Sequence, residues 1–215
     1  ESGMVAALLR LGSRFANSAL VGPVIVEEGF QASQYRWVRP ALRARWLFRR
    51  ASTGADLESV TCVITSGSLI SLSCWESLGG FDEAFFIDYV DVEFCLRARR
   101  AGLRIAVAEA ARLKHHLGRR STLRMLGHDF RPMNHAPFRH YYMARNRVTV
   151  WRRHACAQPH WALFDFSFAV YNGFRAVVLE QHRWLKLKAM ILGTWDGLRG
   201  RSGPMPEHRA RALRP

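Results

Sequence analysis

The chain has 215 residues, of which 49% are hydrophobic and 23% charged, a composition typical of a folded globular protein and not of a disordered one. Its formal net charge of +15 is unevenly distributed: residues 1–111 hold 12 Lys and Arg and 12 Asp and Glu, whereas residues 112–215 hold 20 and 5, together with all nine histidines. This asymmetry predicts an anionic partner for the second half, which leaves nucleic acid, anionic lipid headgroups and phosphorylated substrates open.

Cysteine spacing and hydropathy argue against several other features. The four cysteines, Cys62, Cys74, Cys95 and Cys156, form no C-x-x-C pair and no short zinc-type spacing. They are therefore interpreted as reduced, mostly buried thiols in a cytosolic setting. No uncharged apolar run reaches about 18 residues, which predicts no membrane-spanning helix. The first residues also lack the basic start and apolar core of a signal peptide.

The first half alternates between helical and extended patterns. Residues 4–16 carry apolar side chains at helical spacing and lead into a short apolar strand at 19–29. Residues 30–59 are polar and arginine-rich and are interpreted as a loop with a helical piece at 41–50. The pattern continues with a strand from residue 60, the turn Thr65-Ser66-Gly67-Ser68, a second short strand, a helix through Trp75–Leu78, a stop at Gly79-Gly80, an acid-rich helix and a strand at 103–108. Alternation of this kind predicts an α/β fold.

The acid-rich helix is the most informative segment. Residues 85–103, FFIDYVDVEFCLRARRAGL, place Asp88, Asp91 and Glu93 within six positions at a helix start, and Gly102 marks its end. One interpretation is structural, because a capping acid and a second acid in the first turn together stabilise a helix by about 1 to 2 kcal/mol. The other is an active site. The residues alone leave both open.

After about residue 119 the sequence becomes helical, aromatic and basic, with predicted helices at 140–151 and 161–192. Aromatic side chains recur at steps of three and four residues in the second helix, at Trp161, Phe164, Phe168 and Tyr171. Such a stripe fits core packing. Basic residues follow it around Trp184 and Leu187, namely Arg183, Lys186 and Lys188. With them, the stripe also fits a helix lying in a membrane interface.

Two segments together resemble a known family. GGFDEAFFIDYVDVEFCLRARRAG, followed about a dozen residues later by KHHLG, resembles the acceptor-side half of family 2 inverting glycosyltransferases, and within them the bacterial rhamnosyltransferases. TSGSLIS before this block and HYYMARNR and WDGLRGR after it fit the same group. The resemblance extends from the first helix to about Gly203.

The resemblance implies a partial GT-A fold, an α/β nucleotide-sugar-binding sandwich, and a catalytic residue. Asp91 resembles the general base that takes the proton from the acceptor hydroxyl as that hydroxyl attacks the anomeric carbon, with inversion. A positioned carboxylate of this kind contributes about 10²- to 10⁴-fold. Asp88 and Glu93 would then orient the acceptor, or cap the helix.

Further site residues are implied in the same way. His115, with His116 beside it, stands where related enzymes use a histidine to help ligate the divalent metal, Mn²⁺ or Mg²⁺, on the nucleotide diphosphate, and imidazole suits Mn²⁺ beside carboxylate oxygens. Ser66, Gly67 and Ser68 would line the sugar or acceptor pocket, where glycine permits close backbone approach. An ordinary turn between strands remains the alternative for these three.

The implied organisation has three regions. Residues 1–118 would form the acceptor-side half of the catalytic domain, residues 119–198 a basic membrane-associating helical region, and residues 199–215 a disordered tail. The implied donor is dTDP-rhamnose and the acceptor is lipid-linked or polysaccharide. The protein would then lie on the inner face of the cell membrane, held by the anionic lipid surface.

One departure from the family concerns the donor side. The family's nucleotide-binding strands and acidic D-x-D motif are expected upstream, and this chain contains no D-x-D sequence before Asp88. The chain alone is therefore expected to be incomplete as a catalyst. Two other hypotheses are a non-catalytic membrane-surface or assembly module and a nucleic-acid-binding protein. The neutral first half and its acidic segment do not suit nucleic acid.

Overall fold

The computed structural model describes residues 3–27, 36–38, 48–50, 55–115, 123–125, 128–130 and 134–214. Within them the helices are α1 Met4–Ser13, α2 Leu72–Leu78, α3 Val90–Arg100, α4 Pro137–His154, α5 Pro159–Leu179, α6 Arg183–Leu198 and α7 Glu207–Ala212. The strands are β1 Ser18–Glu27, β2 Arg36–Val38, β3 Phe48–Arg50, β4 Leu69–Ile70, β5 Arg104–His115, β6 Leu123–Met125 and β7 His128–Phe130. The predicted α/β class is confirmed, while the GT-A fold stays a prediction.

The chain forms two compact units, each assembled from separate segments. The first unit contains Glu1–Asp82, Asp91–His116 and Ala157–Trp161, and the second contains Glu83–Val90, Leu117–Cys156 and Ala162–Pro215. The division therefore differs from a single cut near residue 118: the loop before α3 belongs with the C-terminal helices, and the start of α5 belongs with the N-terminal sheet.

The first unit is built on a three-stranded sheet of order β4-β1-β5. β1 pairs in parallel with β5 and antiparallel with β4. Ala19–Val26 is buried throughout, as expected for a strand covered on both faces. One core cluster joins α1 to the sheet and includes Leu8, Leu11, Val21 and Ala106. The other joins the sheet to α2 and α3 and includes Leu20, Val63, Cys74, Phe94 and Val107.

The second unit contains a close helix pair, α4 and α6. Tyr141, Tyr142 and Ala189 form its core with Leu213. A Cβ atom added to Gly193 would overlap the carbonyl oxygen of Tyr141, and one added to Gly197 would lie 2.6 Å from the Arg145 carbonyl oxygen. The two helix backbones thus touch where α6 carries glycine.

Replacing Gly193 with alanine is therefore expected to destabilise the protein by about 3 kcal/mol, because a backbone carbonyl cannot yield as a flexible side chain can. The matched control is Gly173→Ala in α5, where the nearest atom to the added methyl is the Met190 sulfur at 3.9 Å. That change is expected to be neutral or stabilising by up to about 1 kcal/mol. Urea unfolding of both variants checks the contrast, and equal stabilities would contradict the close packing.

A buried charge cluster lies beside this helix pair. The Lys186 ammonium is 2.6 Å from the Glu180 carboxylate, and the imidazole of His140 is 3.7 Å from it. Lys186 is only 2% exposed, so it is not available to lipid headgroups as the sequence pattern suggested. Burial alone would raise the pKa of Glu180, but His140 and Lys186 outweigh it and lower this pKa from 4.5 to about 2.

The shift predicts how stability depends on pH. Because the folded-state pKa of Glu180 lies below its ordinary value, the ionised carboxylate stabilises the protein above about pH 4.5, by about 3 kcal/mol, and this stabilisation is lost as the pH falls towards 2. The stability gap between wild type and Glu180→Gln should therefore close over that range. Glu207→Gln is the control, because the Glu207 side chain is 87% exposed. A gap independent of pH would refute the assignment.

Several sequence predictions are corrected by the structure. Residues 48–50 of the predicted helical piece form strand β3, and residues 41–47 lie outside the described residues. Residues 60–65 form no strand: near them, Leu57 makes an isolated bridge to Val107 and the Val60 amide donates to the Ile105 carbonyl. The long helix predicted from residue 161 is two helices, separated at His182, which has a φ of 52°.

The tail also differs from the prediction. Residues 199–215 were predicted to be disordered, yet they contain α7, and Leu213 is 3% exposed in the core with Tyr141 and Tyr142. Arg209 and Arg201 donate to the buried Asp196 carboxylate. Residues 199–214 are ordered because they supply an apolar side chain to the core of the helix pair and countercharges to the buried Asp196 of α6.

Candidate active site

Asp91 is the second residue of α3 and is half-buried. Its Oδ1 atom accepts a hydrogen bond from the Val92 amide at 2.9 Å, and a carboxylate in the first turn is favoured by the helix dipole. Burial raises the pKa of the Cys62 thiol, and both Cys95 and the Asp91 carboxylate raise it further. The structure thus gives Asp91 the helix-start position on which both interpretations depend.

Glu93 has a structural partner. Its side chain is 3% exposed and its carboxylate lies 2.7 Å from the Arg97 guanidinium, one turn along α3. Arg97 also donates to the Gly80 carbonyl at 2.8 Å and to the Leu78 carbonyl. Glu93 therefore orients an arginine that donates hydrogen bonds to carbonyl groups at the C-terminal end of α2. This structural role differs from both acceptor binding and helix capping. Acceptor binding by Glu93 stays a prediction.

The segment Ser66-Gly67-Ser68 forms a tight turn before β4. The Ser68 amide donates to the Thr65 carbonyl at 3.1 Å, and Gly67 has a φ of 70°. A Cβ atom at Gly67 would lie 2.9 Å from the Leu113 side chain. Ser68 Oγ donates to the Ile64 carbonyl at 2.5 Å, while Ser66 is exposed. The turn geometry accounts for the glycine, and of the two serines Ser66 is the exposed one.

Asp88 lies in the loop that precedes α3 and belongs to the second unit. Its carboxylate forms a bidentate ion pair with Arg139 of α4, with Nη2 at 2.8 Å from Oδ1 and Nε at 3.0 Å from Oδ2. The Nδ1 atom of His135 lies 3.4 Å from Arg139. Burial, together with Arg139 and His140, lowers the pKa of His135 to about 4, so this imidazole is neutral at pH 7.

The backbone of this loop is unusual. Phe86, Asp88 and Tyr89 all have left-handed conformations, with φ values of 63°, 61° and 66°. Aspartate tolerates this region, but aromatic residues do so at a cost of about 1 to 2 kcal/mol each. Strained non-glycine residues persist only where surrounding contacts impose the conformation, and they cluster at functional sites.

Helix α4 supplies the contacts that hold the loop. The Asn146 amide nitrogen lies 2.8 to 2.9 Å from the carbonyl oxygens of Phe85, Ile87 and Asp88. The guanidinium of Arg145 donates to Phe85 at 3.1 Å. The sequence alone predicts no role for Arg139, Arg145 and Asn146, because their partners in the loop lie 51 to 61 positions away.

The metal prediction rests on a side chain that the structure does not describe. His115 is the last residue of β5, and its backbone lies opposite Glu27 of β1. The side chain of His115 and all of His116 lie outside the described residues. Among the residues that are described, no group of three or more His, Cys, Asp or Glu side chains could hold a metal ion. A metal site is therefore not assembled from them, and the Mn²⁺ or Mg²⁺ requirement stays a prediction.

Helix α5 presents an unusual surface. It is long and apolar enough to cross a membrane by length and composition, although it contains Asp165 and Arg175, and 11% of that stretch is buried. Leu163, Phe166, Val170, Phe174 and Val178 are between 47% and 65% exposed, and their steps of three and four residues place them on one side of the helix. We call these five residues the apolar face of α5. Of the aromatic stripe predicted from the sequence, Trp161 is buried, whereas Phe168 and Tyr171 are 42% and 56% exposed.

Comparison with known proteins finds a similarity that covers part of the chain. The chain is 31% identical over 140 residues to dTDP-rhamnosyl transferase RfbF of Shigella flexneri, a stretch that covers 65% of this chain and 46% of that protein. The chain thus spans about half the length of this curated relative. No family model matches the chain, and no solved structure matches it. The similarity supports the resemblance to a rhamnosyltransferase, while membership of family 2 stays a prediction.

Proposed function

We propose that the chain is part of a glycosyltransferase that moves rhamnose from dTDP-rhamnose to a lipid-linked or polysaccharide acceptor. The observation that carries the proposal is the similarity to a protein named dTDP-rhamnosyl transferase. It is supported by the acid-rich start of α3 and by the strained loop before it. The specific donor, the acceptor and inversion are parts of the proposal that follow from the resemblance.

In the proposed reaction Asp91 is the base. The acceptor hydroxyl oxygen forms a bond to the anomeric carbon of rhamnose, while the bond from that carbon to the diphosphate oxygen breaks and dTDP leaves with the electron pair. The hydroxyl proton passes to the Asp91 carboxylate. Since the nucleophile enters opposite the leaving group, the anomeric configuration inverts. A bound Mn²⁺ or Mg²⁺ would neutralise charge on the diphosphate.

The test is transfer of radiolabelled rhamnose from dTDP-rhamnose to a membrane acceptor extract, with and without Mn²⁺ or Mg²⁺. It should compare the 215-residue chain with the same chain carrying any upstream segment that its gene encodes. Transfer by the form with the donor-binding segment supports the proposal. Failure of every form to transfer rhamnose would overturn it and favour a non-catalytic membrane-surface module.

We also propose that the protein lies on the inner face of the cell membrane, with the apolar face of α5 against an anionic bilayer. On the other side of α5, the Asp165 carboxylate accepts hydrogen bonds from Tyr89 and Trp151 at 2.7 and 2.9 Å. The helix is therefore tied to its own unit along one side, which favours lying in the interface over crossing the bilayer. The excess of basic residues after residue 111 complements anionic headgroups.

Vesicle flotation tests this placement. The protein should float with phosphatidylcholine vesicles that contain phosphatidylglycerol and much less with phosphatidylcholine alone or in high salt. Replacing Phe166 and Phe174 with serine should lower binding by at least about tenfold, because each ring loses its apolar contact with lipid. Leu72→Ser is the matched control, since Leu72 is 77% exposed on α2. Unchanged binding by the double variant would refute the assignment of this face.

A further inference from the structure

The loop of residues 84–89 is held by one side of helix α4. Arg139, Tyr142 and Asn146 recur at steps of three and four residues, so they lie on one side of this helix. Arg139 pairs with Asp88, the Tyr142 ring stacks on Phe86 with centroids 5.1 Å apart, and Asn146 binds three loop carbonyls. All of these contacts lie within the second unit.

Asn146 is oriented by its neighbour. Its Oδ1 atom accepts a hydrogen bond from Arg145 Nε at 2.9 Å. Because arginine is a donor only, this contact fixes the amide with its oxygen towards Arg145 and its nitrogen towards the loop. Arg145 is 1% exposed and Asn146 is 2% exposed. Arg145 is itself held by the Gly203 carbonyl at 2.5 Å and by the Ala84 carbonyl at 3.3 Å.

The loop needs this support because its backbone is strained. The carbonyls bound by Asn146 belong to Phe85, Ile87 and Asp88, and each of these residues is followed directly by a neighbour in the left-handed conformation; Asp88 is itself left-handed and also precedes left-handed Tyr89. An amide that gathers these carbonyls selects the turned conformation over an extended one. The loop then runs directly into α3, whose second residue is Asp91.

We propose that Asn146, oriented by Arg145, is a positioning residue for glycosyl transfer: it holds the strained loop that presents Asp88 and leads into the helix start of Asp91. This inference rests on the proposed function. Asn146 touches neither substrate nor reacting atoms in this role and acts through the loop. Its loss should therefore misplace the acceptor side of the reaction while leaving donor binding largely intact.

The deciding measurement is the partition of dTDP-rhamnose between transfer to the acceptor and hydrolysis by water. A merely structural role would reduce the folded fraction and lower both rates together, leaving their ratio unchanged. A positioning role lowers transfer more than hydrolysis. For Asn146→Ala we expect transfer kcat to fall by about 10- to 100-fold, as for a misplaced reacting group, and the ratio of hydrolysis to transfer to rise by about tenfold.

The assay uses the full natural chain, with any upstream segment that its gene encodes. The matched control is Asn172→Ala, which removes the hydrogen bond of 2.8 Å that the Asn172 side-chain amide donates to the Phe168 carbonyl on α5 and should leave the ratio unchanged. Arg145→Lys tests the same idea with Asn146 in place, because lysine cannot supply the Nε contact that orients the amide. It should shift the ratio in the same direction, by less.

Hydrogen exchange followed by mass spectrometry provides a readout that does not depend on activity. Peptides covering residues 84–90 should exchange faster in Asn146→Ala, whereas peptides from β1 should not change. Faster exchange with an unchanged ratio would overturn the positioning role and leave the proposed function standing. Absence of any transfer by the wild-type protein would overturn the proposed function, and the positioning role with it.

Discussion

Replacing Asp91 with asparagine is expected to lower the rate of rhamnosyl transfer by about 10²- to 10⁴-fold, the contribution of a positioned general base. Asparagine has nearly the same shape as aspartate but cannot accept the hydroxyl proton at neutral pH. Its carbonyl oxygen can still accept the 2.9 Å hydrogen bond from the Val92 amide. The helix start should therefore survive, with a stability change within about 1 kcal/mol. Transfer assays and urea unfolding of the same variant separate chemistry from folding.

Asp56→Asn is a suitable control for this experiment. The Asp56 carboxylate also accepts a backbone hydrogen bond, from the Glu109 amide at 2.9 Å in the first unit, but nothing in the resemblance places it in the reaction. Its replacement should leave transfer unchanged. Full activity in Asp91→Asn would reduce Asp91 to a helix-start acid, which is the structural interpretation that the sequence left open.

The parts of the fold that the sequence predicted are those with local signals. The apolar runs of β1 and β5 and the glycine stop after α3 indicate their own structure, because burial on both faces and a left-handed stop each require particular residues. The interpretation failed where a distant partner decides the outcome. Residues 60–65 have the sequence pattern of a strand, but the Val60 N–H donates a single hydrogen bond to β5, at the Ile105 carbonyl, and these residues form no ladder.

The loop before α3 shows the same limit at the candidate site. Sequence patterns assign left-handed backbone to glycine, and no rule would assign it to Phe86 and Tyr89. The conformation is imposed by Asn146, which is 60 and 57 positions away from them. Likewise Asp88 was seen as an acid near a helix start, while its partner Arg139 lies 51 positions further on. The local pattern identified the acids, and only the folded chain showed the arginine partners of Asp88 and Glu93.

The tail and the apolar face of α5 are two further segments for which the sequence was compatible with more than one structure. The arginine-rich composition of the tail predicts disorder. In the structure, however, Arg201 and Arg209 of the tail form ion pairs with the buried carboxylate of Asp196. The aromatic residues of α5 fit core packing by their spacing, but the apolar face of this helix is exposed in the structure. In both cases the composition fits either interpretation, disordered or ordered for the tail and core or surface for α5. The burial of particular side chains in the structure decides between them.

Replacing Asp165 with alanine is expected to destabilise the protein strongly. Its carboxylate is 6% exposed and accepts hydrogen bonds from the Tyr89 hydroxyl, Arg147 Nε and Trp151 Nε1 at 2.7, 3.1 and 2.9 Å. Replacement by alanine leaves three donors, one of them charged, without this acceptor. The expected loss is about 3 to 5 kcal/mol, the cost of breaking a buried ion pair from one side.

Asp165 also connects α5 to the loop that contains Tyr89 and to α4, so it holds α5 against its own unit. Burial, followed by the Asp165 charge, raises the pKa of Tyr89 well above its ordinary value, so its hydroxyl stays protonated and donates at all physiological pH values. Ser167→Ala is the control on the same helix, since the Ser167 hydroxyl donates to the Leu163 carbonyl at an exposed position and its loss should cost less than about 0.5 kcal/mol. A loss of under about 1 kcal/mol in Asp165→Ala, measured by urea unfolding, would mean that α5 is held by its apolar contacts alone, and the reason for placing it in the interface rather than across the bilayer would be removed.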